Sequence, residues 1–342
     1  MKRSIALILA LLLLTGCAAP VSEVDTTEQY TATFLTLFDT VTTIIGRAES
    51  EEAFKETSQT IHDDLLRYHE LFDIYNDYDG VNNLKTVNDN AGIVPVEVDK
   101  AIIDLLLDCK DYYDLTAGRV NVAMGSVLHL WHEARNDGMN DPQNAKLPAM
   151  DALQEAANHC SFDSVIIDEA ASTVYISDPN ASLDVGAIAK GWATQRAAEN
   201  APTGMLISVG GNVCATGPKL SDGTPWVIGI QDPDAADKNL HTVFVTEASV
   251  VTSGDYQRLF WVEGKPYHHI IDPDTLMPSI YWRSVSVICP DSGLADALST
   301  ALFLMDREAG SALAEECGAE VLWVDAAGQE FMTEGFKEII RT

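Results

Sequence analysis

The sequence contains few basic residues. Its 342 residues include 21 Lys and Arg against 52 Asp and Glu, which gives a formal net charge of −31 at pH 7. A surface this acidic is repelled by DNA, RNA and anionic lipid headgroups. We therefore expect no nucleic-acid partner, and we interpret the acidity as a feature of surface solvation.

Cysteines are also few, and none of them forms a metal-binding or redox motif. Apart from Cys17, the chain has cysteines only at positions 109, 160, 214, 289 and 317, an odd number without any CxxC pair. This scatter favours neither a disulfide framework nor a structural zinc site. We expect most of these cysteines to be small core residues.

Long hydrophobic runs are absent except for one short run at the N-terminus. Lys2 and Arg3 precede an apolar segment, residues 5–14, which has the length of a signal-peptide core. It is shorter than the roughly 20 apolar residues that a membrane-spanning helix needs. The segment continues into Leu-Thr-Gly-Cys, which matches a bacterial lipobox whose cysteine, Cys17, is lipidated.

The chain therefore divides into three parts. We expect a lipoprotein signal peptide over residues 1–17, a polar tether over 18–30 and one large domain over 31–342. Such a protein is exported and held at the extracytoplasmic face of the membrane by its N-terminal lipid, while the domain remains in water.

Residue patterning predicts an α+β fold. Helical and strand-like stretches alternate in mixed order, without the steady rhythm of a parallel sheet. The predicted helices cover residues 51–68, 100–114, 150–158, 187–200, 294–305 and 307–317. The predicted strands cover residues 40–45, 164–168, 173–176, 226–230, 242–245 and 284–288. The polar, turn-rich stretch 129–148 is predicted to be a surface excursion that borders a site.

A lysine within a run of small residues is the first candidate for a binding site. The stretch LDVGAIAKGWA becomes helical near Ala187, so Lys190 falls in the first turn, where the helix dipole disfavours a cation. Two interpretations remain open. Gly186 or Gly191 simply forms a turn beside a solvated lysine, or these small residues let backbone N–H groups approach a phosphate.

A carboxylate and a hydroxyl on one helix form the second candidate. Asp296 and Thr300 are four residues apart and project from one side of the predicted helix. This pair suits a hard cation such as Mg²⁺, with a backbone carbonyl from residues 186–189 as a third oxygen ligand. The alternative is that Asp296 stabilises the helix dipole and Thr300 bonds to its own turn.

Two further segments carry polar or glycine-rich signals. Residues 250–278 gather polar side chains between two strand-like runs and place His269 near Asp272, which suits an oriented acid or base. The double glycine at 210–211 is either a plain hairpin turn or a point where the backbone approaches a ligand.

Taken in order, short motifs from about residue 34 to the C-terminus resemble the ApbE family, the FAD:protein FMN transferases. The motifs are FDTVTTI, LFDIYN, YDLTAGRVN, LDVGAIAKGWA, SVGGN, VVTSGDYQR, YHHIIDP and ADALSTALF. The sequence departs from the family pattern at Leu276-Met277, where a Thr-Gly-x-Pro turn is usual. It also departs at Asn212, where an acidic residue is common, and at Arg119, where proline is common.

The resemblance implies a T-fold-like α+β core with a cleft for FAD, from which FMN is transferred to a Thr or Ser hydroxyl of a partner protein with release of AMP. It implies Mg²⁺ held by the Ala187 carbonyl, Asp296 and Thr300. His269 or Asp272 is then the candidate base for the incoming hydroxyl. The implied flavin or nucleotide contacts are Phe38, Tyr75, Thr116, Ala117, Gly118, Asp184, Lys190, His269 and Ile270.

The implied acceptors are exported flavoproteins, such as subunits of Rnf-type or Na⁺-translocating quinone-reductase complexes. Two alternatives accompany this hypothesis. One is a Mg²⁺-dependent FAD pyrophosphatase, in which water takes the place of the acceptor. The other is a lipid-anchored flavin- or solute-binding protein, which needs no metal positioned for cleavage.

Overall fold

The computed structural model describes residues 27–341, whose backbone is organised around antiparallel sheets flanked by helices. The helices are α1 Glu51–Phe72, α2 Leu84–Asp89, α3 Lys100–Leu115, α4 Gly125–Asn140, α5 Met150–Ala157, α6 Ala189–Asn200, α7 Ser292–Phe303, α8 Arg307–Glu316 and α9 Glu334–Ile339. The strands are β1 Glu28–Phe34, β2 Thr42–Ala48, β3 Val96–Glu97, β4 Val165–Asp168, β5 Thr173–Ile176, β6 Leu206–Val209, β7 Asn212–Ala215, β8 Trp226–Asp232, β9 Ala235–Val245, β10 Ser249–Gly254, β11 Leu259–Val262, β12 Lys265–His268, β13 Ser284–Cys289, β14 Glu320–Val324 and β15 Glu330–Met332. Short 3₁₀ turns occupy Leu37–Asp39 and Phe162–Ser164.

The largest sheet has eight strands in the order β1-β2-β6-β7-β10-β13-β14-β15. Neighbouring strands in it run antiparallel. Every residue of β13 is buried, because helices cover one face of the sheet and the β8–β9 hairpin packs against the other. On the helical face α7 contacts β10 and β13, and α6 packs against both α7 and α1. The predicted α+β class is confirmed.

Each predicted helix is present, with ends set by local capping groups. Helix α1 begins after Ser50, whose hydroxyl accepts a hydrogen bond from the Ala53 N–H, and it continues past the predicted end to Phe72. Helix α7 begins after Asp291, whose carboxylate accepts from the Leu294 N–H. These short polar side chains satisfy N–H groups that have no partner within the helix.

The prediction of a surface excursion over residues 129–148 was wrong, because most of this stretch is helix α4. Val127 and Trp131 are buried one helical turn apart, and the Trp131 indole donates to the Leu276 carbonyl oxygen at 3.0 Å. Most of the polar residues that suggested a loop, among them His129, Glu133 and Asn136, lie on the solvent side of an amphipathic helix.

The start of the folded domain lies slightly earlier than the expected end of the tether. Strand β1 begins at Glu28, and Tyr30 pairs with Gly46 of β2. The predicted signal peptide and Cys17 lie outside the described residues. Within residues 27–341 no helix combines the length and the apolar character that crossing a membrane would require.

Candidate functional site

A cleft of about 470 Å³ lies where α6 and α7 meet the loops at the ends of the large sheet. This volume is within the range of small-molecule sites. The sequence-predicted residues that line it are Phe38, Tyr75, Asp184, Ala187, Lys190, His269, Ile270, Asp296 and Thr300. Residues far apart in the sequence therefore share one surface.

One end of the cleft is built on the contact between α6 and α7. Asp296 is buried, and its Oδ2 accepts a hydrogen bond from the Gly191 N–H at 2.8 Å. The Lys190 Nζ lies 3.8 Å from the same oxygen. Burial raises the pKa of the Asp296 carboxyl, which the Lys190 charge opposes. Asp291 occupies the N-cap of α7, so Asp296 is free of that role.

The oxygen donors at this end suit a hard cation. Asp296 supplies a carboxylate, Thr300 a hydroxyl, and the backbone at Ala187 carries a carbonyl oxygen, all on residues that line the cleft. Mg²⁺ prefers such oxygen ligands and keeps places for water and substrate phosphates, so few protein ligands suffice. Across residues 27–341 no three His, Cys, Asp or Glu side chains cluster as they do in zinc sites.

Lys190 faces the cleft instead of the bulk solvent. It lies in the first turn of α6, and its side chain is 23% exposed beside Asp296. The loop before the helix is held by Asp184, whose Oδ1 accepts from the Gly186 N–H at 2.9 Å. The interpretation of Lys190 as a solvated surface charge therefore does not apply.

Aromatic side chains also line the cleft. Phe38 has φ 52° and the adjacent Asp39 has φ 53°, a left-handed backbone that is costly for residues other than glycine. The Phe38 N–H donates to His69 Nδ1 at 3.2 Å, which helps to hold this segment. Tyr75 contributes a second ring at the cleft surface.

The double glycine at 210–211 forms a hairpin turn at the edge of the cleft. Both glycines have positive φ and join β6 to β7 as a hairpin turn. Gly210 also lines the cleft, and a Cβ added there would lie 2.7 Å from the Thr40 side chain. The turn thus requires glycine, and it brings the backbone to the edge of the site.

His269 is half-buried at the cleft wall, and its buried Nδ1 atom has no hydrogen-bond partner within the described part of the chain. Loss of solvent around the ring and, second, the nearby positive charge of Arg258 together lower the pKa of the imidazole to about 3. His269 is therefore neutral near pH 7, with a ring nitrogen that can accept a hydrogen bond.

We expect His269 to make the stability of the chain depend on pH. Its pKa rises from about 3 in the folded chain to 6.5 when unfolded, so below pH 6.5 the unfolded state binds the extra proton. The resulting stabilisation is complete above pH 6.5 and is lost as the pH falls toward 3. The free-energy difference between the parent chain and His269→Gln should decrease on acidification by as much as ~1.4 kcal/mol per pH unit. If the free energies of unfolding of the parent chain and His269→Gln instead changed in parallel from pH 7.5 to 4.5, the low pKa assigned to His269 would be wrong.

Asp272 does not line the cleft. Its Oδ1 accepts the N–H groups of Asp274 at 2.8 Å and Thr275 at 3.2 Å, which closes a turn. Arg119 lies 3.6 Å from the same oxygen. This geometry makes Asp272 a turn-forming residue and leaves His269 as the better-placed candidate base.

The TAG motif also lies apart from the main cleft. The Thr116 hydroxyl donates to the Tyr112 carbonyl and accepts from the Val120 N–H, so it secures the end of α3. Ala117 and Gly118 line a neighbouring cavity of about 260 Å³. Arg119, Asn121 and Met124 line both spaces, which are therefore adjacent.

Comparison with known proteins identifies this arrangement. The ApbE family profile matches residues 38–323. The chain belongs to the ApbE family. It is 36% identical over 260 residues to the FAD:protein FMN transferase of Treponema pallidum (strain Nichols), covering 70% of each chain. It is 33% identical over 263 residues to an enzyme of the same name from Klebsiella pneumoniae (strain 342), covering 73% of this chain and 79% of that one.

A solved ApbE structure agrees with the fold. The crystal structure of the ApbE protein from Thermotoga maritima matches with a TM-score of 0.79 and 30% identity, covering 92% of this chain and all of that one. The α+β fold of this chain is therefore that of a solved ApbE protein.

Motif reasoning missed two histidines that line the cleft, His69 and His132. His69 lies in the last turn of α1, beyond the predicted end of that helix. His132 lies on α4 next to Trp131, in the stretch predicted to be a surface excursion. The spacing of Val127 and Trp131 is the signal that would have placed it on a helix bordering the cleft.

Proposed function

We propose that this chain transfers FMN from FAD to a threonine or serine hydroxyl of an acceptor protein and releases AMP. The observation that carries the proposal is the composition of the cleft. Lys190, Asp296 and Thr300 line one part of the cleft, which we call the phosphate end. The rings of Phe38 and Tyr75 line another part, which we call the aromatic wall. A flavin dinucleotide combines a flat ring system with a diphosphate, and this pairing of surfaces suits both. The related transferases support the same assignment.

We infer that the metal is Mg²⁺, held by the Ala187 carbonyl, Asp296 and Thr300. The support is the all-oxygen donor set and the burial of Asp296, whose charge needs a cation nearby. Once bound, Mg²⁺ would neutralise negative charge on the diphosphate.

The chain's own residues then position the reaction. The acceptor hydroxyl attacks the FMN phosphorus, the new O–P bond forms, and the P–O bond to AMP breaks. The Lys190 ammonium stabilises negative charge at the departing phosphate. Neutral His269 is the candidate to accept the hydroxyl proton, because its Nδ1 has no partner within residues 27–341 and the negative diphosphate of bound FAD would raise its low pKa.

The N-terminal signal supports a proposal for the location, and the location narrows the class of acceptor. The basic residues, apolar run and lipobox before Cys17 support export and lipid anchoring. An enzyme anchored in this way meets acceptors outside the cytoplasm, and we propose exported flavoprotein subunits of the Rnf or Na⁺-translocating quinone-reductase type.

The direct test mixes the purified chain with FAD and Mg²⁺, with and without a threonine-bearing candidate acceptor. Chromatography follows AMP and FMN, and mass spectrometry follows the acceptor. AMP together with an acceptor heavier by one FMN supports the transferase. AMP with free FMN alone indicates a pyrophosphatase, and tight FAD binding without AMP indicates a binding protein.

Replacing Lys190 with methionine should weaken FAD binding by about tenfold, because a charged contact to the diphosphate is lost while the side-chain length is kept. Equilibrium titration followed by flavin fluorescence measures this. Lys110→Met, at an exposed position in α3, is the control. Equal affinities for Lys190→Met and the parent chain would place the diphosphate elsewhere.

A further inference from the structure

Three side chains from separate parts of the fold contact one another in a row along the cleft. Tyr75 lies in the loop after α1, His132 on α4, and Asp184 in the loop before α6. The Tyr75 hydroxyl is 2.7 Å from His132 Nδ1, and His132 Nε2 is 3.9 Å from Asp184 Oδ2. All three residues line the cleft, and His132 lies outside the motifs of the family resemblance.

The contacts determine which nitrogen of His132 carries the proton. Burial lowers the pKa of His132, so the ring is neutral and has one N–H. Burial also raises the pKa of Tyr75 to about 12, so its hydroxyl stays protonated and can donate to Nδ1. The N–H is then on Nε2 and points toward the Asp184 carboxylate. The other tautomer would direct the Nε2 lone pair at a carboxylate, which is repulsive.

This arrangement explains how an exposed ring keeps its orientation. Tyr75 is 57% exposed, and within the described chain His132 is the only hydrogen-bond partner of its hydroxyl. The His132 ring also contacts the Tyr75 ring, with centroids 6.1 Å apart. His132 itself is held on a rigid helix whose neighbouring Trp131 is buried.

Asp184 connects this row of side chains to the phosphate end of the cleft, where Lys190 and Asp296 lie. Its second oxygen, Oδ1, accepts from the Gly186 N–H and shapes the loop that leads to Ala187 and Lys190. The His132 imidazole thus lies between the Tyr75 ring of the aromatic wall and the loop at the start of α6. A side chain in this position can fix the relative placement of the two surfaces.

We propose that His132 is a positioning residue for FAD: it accepts a hydrogen bond from the Tyr75 hydroxyl, keeps its Nε2 side near the Asp184 carboxylate, and so presets the Tyr75 ring for the flavin nucleotide. This inference rests on the proposed function, because it takes FAD as the ligand of the cleft. His132 does not itself exchange protons with the substrate.

The test measures FAD affinity in the full chain without acceptor and in EDTA, so that no turnover is needed. Tyr75→Phe should weaken binding by about fivefold, and His132→Ala by at least as much, since it also loses the contact with Asp184; the double variant should bind no more weakly than His132→Ala. His129→Ala is the matched control, because His129 is on the same helix and pairs with Glu133 in solvent.

Two conservative variants separate this role from simple packing. His132→Asn keeps an acceptor near the Nδ1 position and should retain most of the affinity, whereas His132→Gln places its amide nearer the Nε2 position and should bind as weakly as His132→Ala. Nitrogen NMR of the labelled His132 ring should show a protonated Nε2 at pH 7.5. Thermal unfolding of each variant checks that the fold is kept.

The opposing outcomes are distinct. Additive losses in the double variant, parent-like binding by His132→Ala, or a protonated Nδ1 would overturn the role of His132 and leave FMN transfer untouched. Failure of the parent chain to bind FAD at all would instead overturn the proposed function, and this inference with it.

Discussion

Replacing Asp296 with asparagine is expected to reduce FAD cleavage by about a hundredfold or more, while the chain remains folded. The substitution removes the one carboxylate among the proposed metal ligands, and metal stabilisation of a transferring phosphoryl group is worth several kcal/mol. The asparagine carbonyl oxygen can still accept from the Gly191 N–H, as Asp296 Oδ2 does at 2.8 Å. Stability should therefore change little, because a buried charge with an unfavourably raised pKa is also removed.

The measurement is AMP release at saturating FAD and Mg²⁺, together with thermal unfolding. Asp306→Asn is a matched control, since Asp306 caps α8 away from the cleft by accepting from the Ala309 N–H at 3.0 Å. It should lose some stability and keep its activity. Parent-like AMP release by Asp296→Asn would mean that the cleavage site does not depend on this carboxylate.

Local sequence signals predicted the parts of the site that lie within one element. Lys190 in a first helical turn and Asp296 with Thr300 one turn apart follow from helical periodicity alone. The hydrogen bond from Gly191 to Asp296 joins residues 105 positions apart, and no local pattern encodes it. That contact depends on how α6 packs against α7, which is a property of the assembled fold.

The helix that carries His132 shows why polar stretches mislead. Its first half has the buried pair Val127 and Trp131, but many later residues are charged or amide-bearing and suggest a loop. Packing makes this stretch helical, because Trp131 contacts Phe260 and Gly138 lies against the same Phe260 ring. Burial of one apolar face therefore overrides weak helical propensity.

The departure from the family pattern at Leu276 has a visible structural consequence. Leu276 adopts φ 60°, a region that glycine occupies without strain. Its N–H donates to the Asp272 carbonyl at 2.8 Å, and its carbonyl accepts from the Trp131 indole. The buried Leu276 side chain gains packing that offsets part of the backbone cost of roughly 1–2 kcal/mol. The sequence showed the substitution but not the contacts that tolerate it.

Replacing Gly191 with alanine should both destabilise the chain and disable the site. A Cβ at this position would lie 2.3 Å from the Ser292 carbonyl oxygen and 2.4 Å from the Asp296 Cβ. Backbone and Cβ atoms cannot rotate away, so α6 must shift from α7. Such overpacking costs about 1–3 kcal/mol and here falls at the upper end. Alanine recovers up to about 1 kcal/mol of helix propensity, which leaves a net loss of about 2 kcal/mol.

The same shift would move the Gly191 N–H and Lys190 away from Asp296, so FAD cleavage should fall together with the free energy of unfolding. Urea unfolding and AMP release test the two effects. Gly310→Ala is the control: Gly310 is also buried in a helix, but its nearest side-chain atom is 3.5 Å from the added Cβ. That variant should be as stable as the parent chain or more so. If Gly191→Ala behaved the same way, the close approach of the two helices would not be what holds the phosphate end of the cleft together.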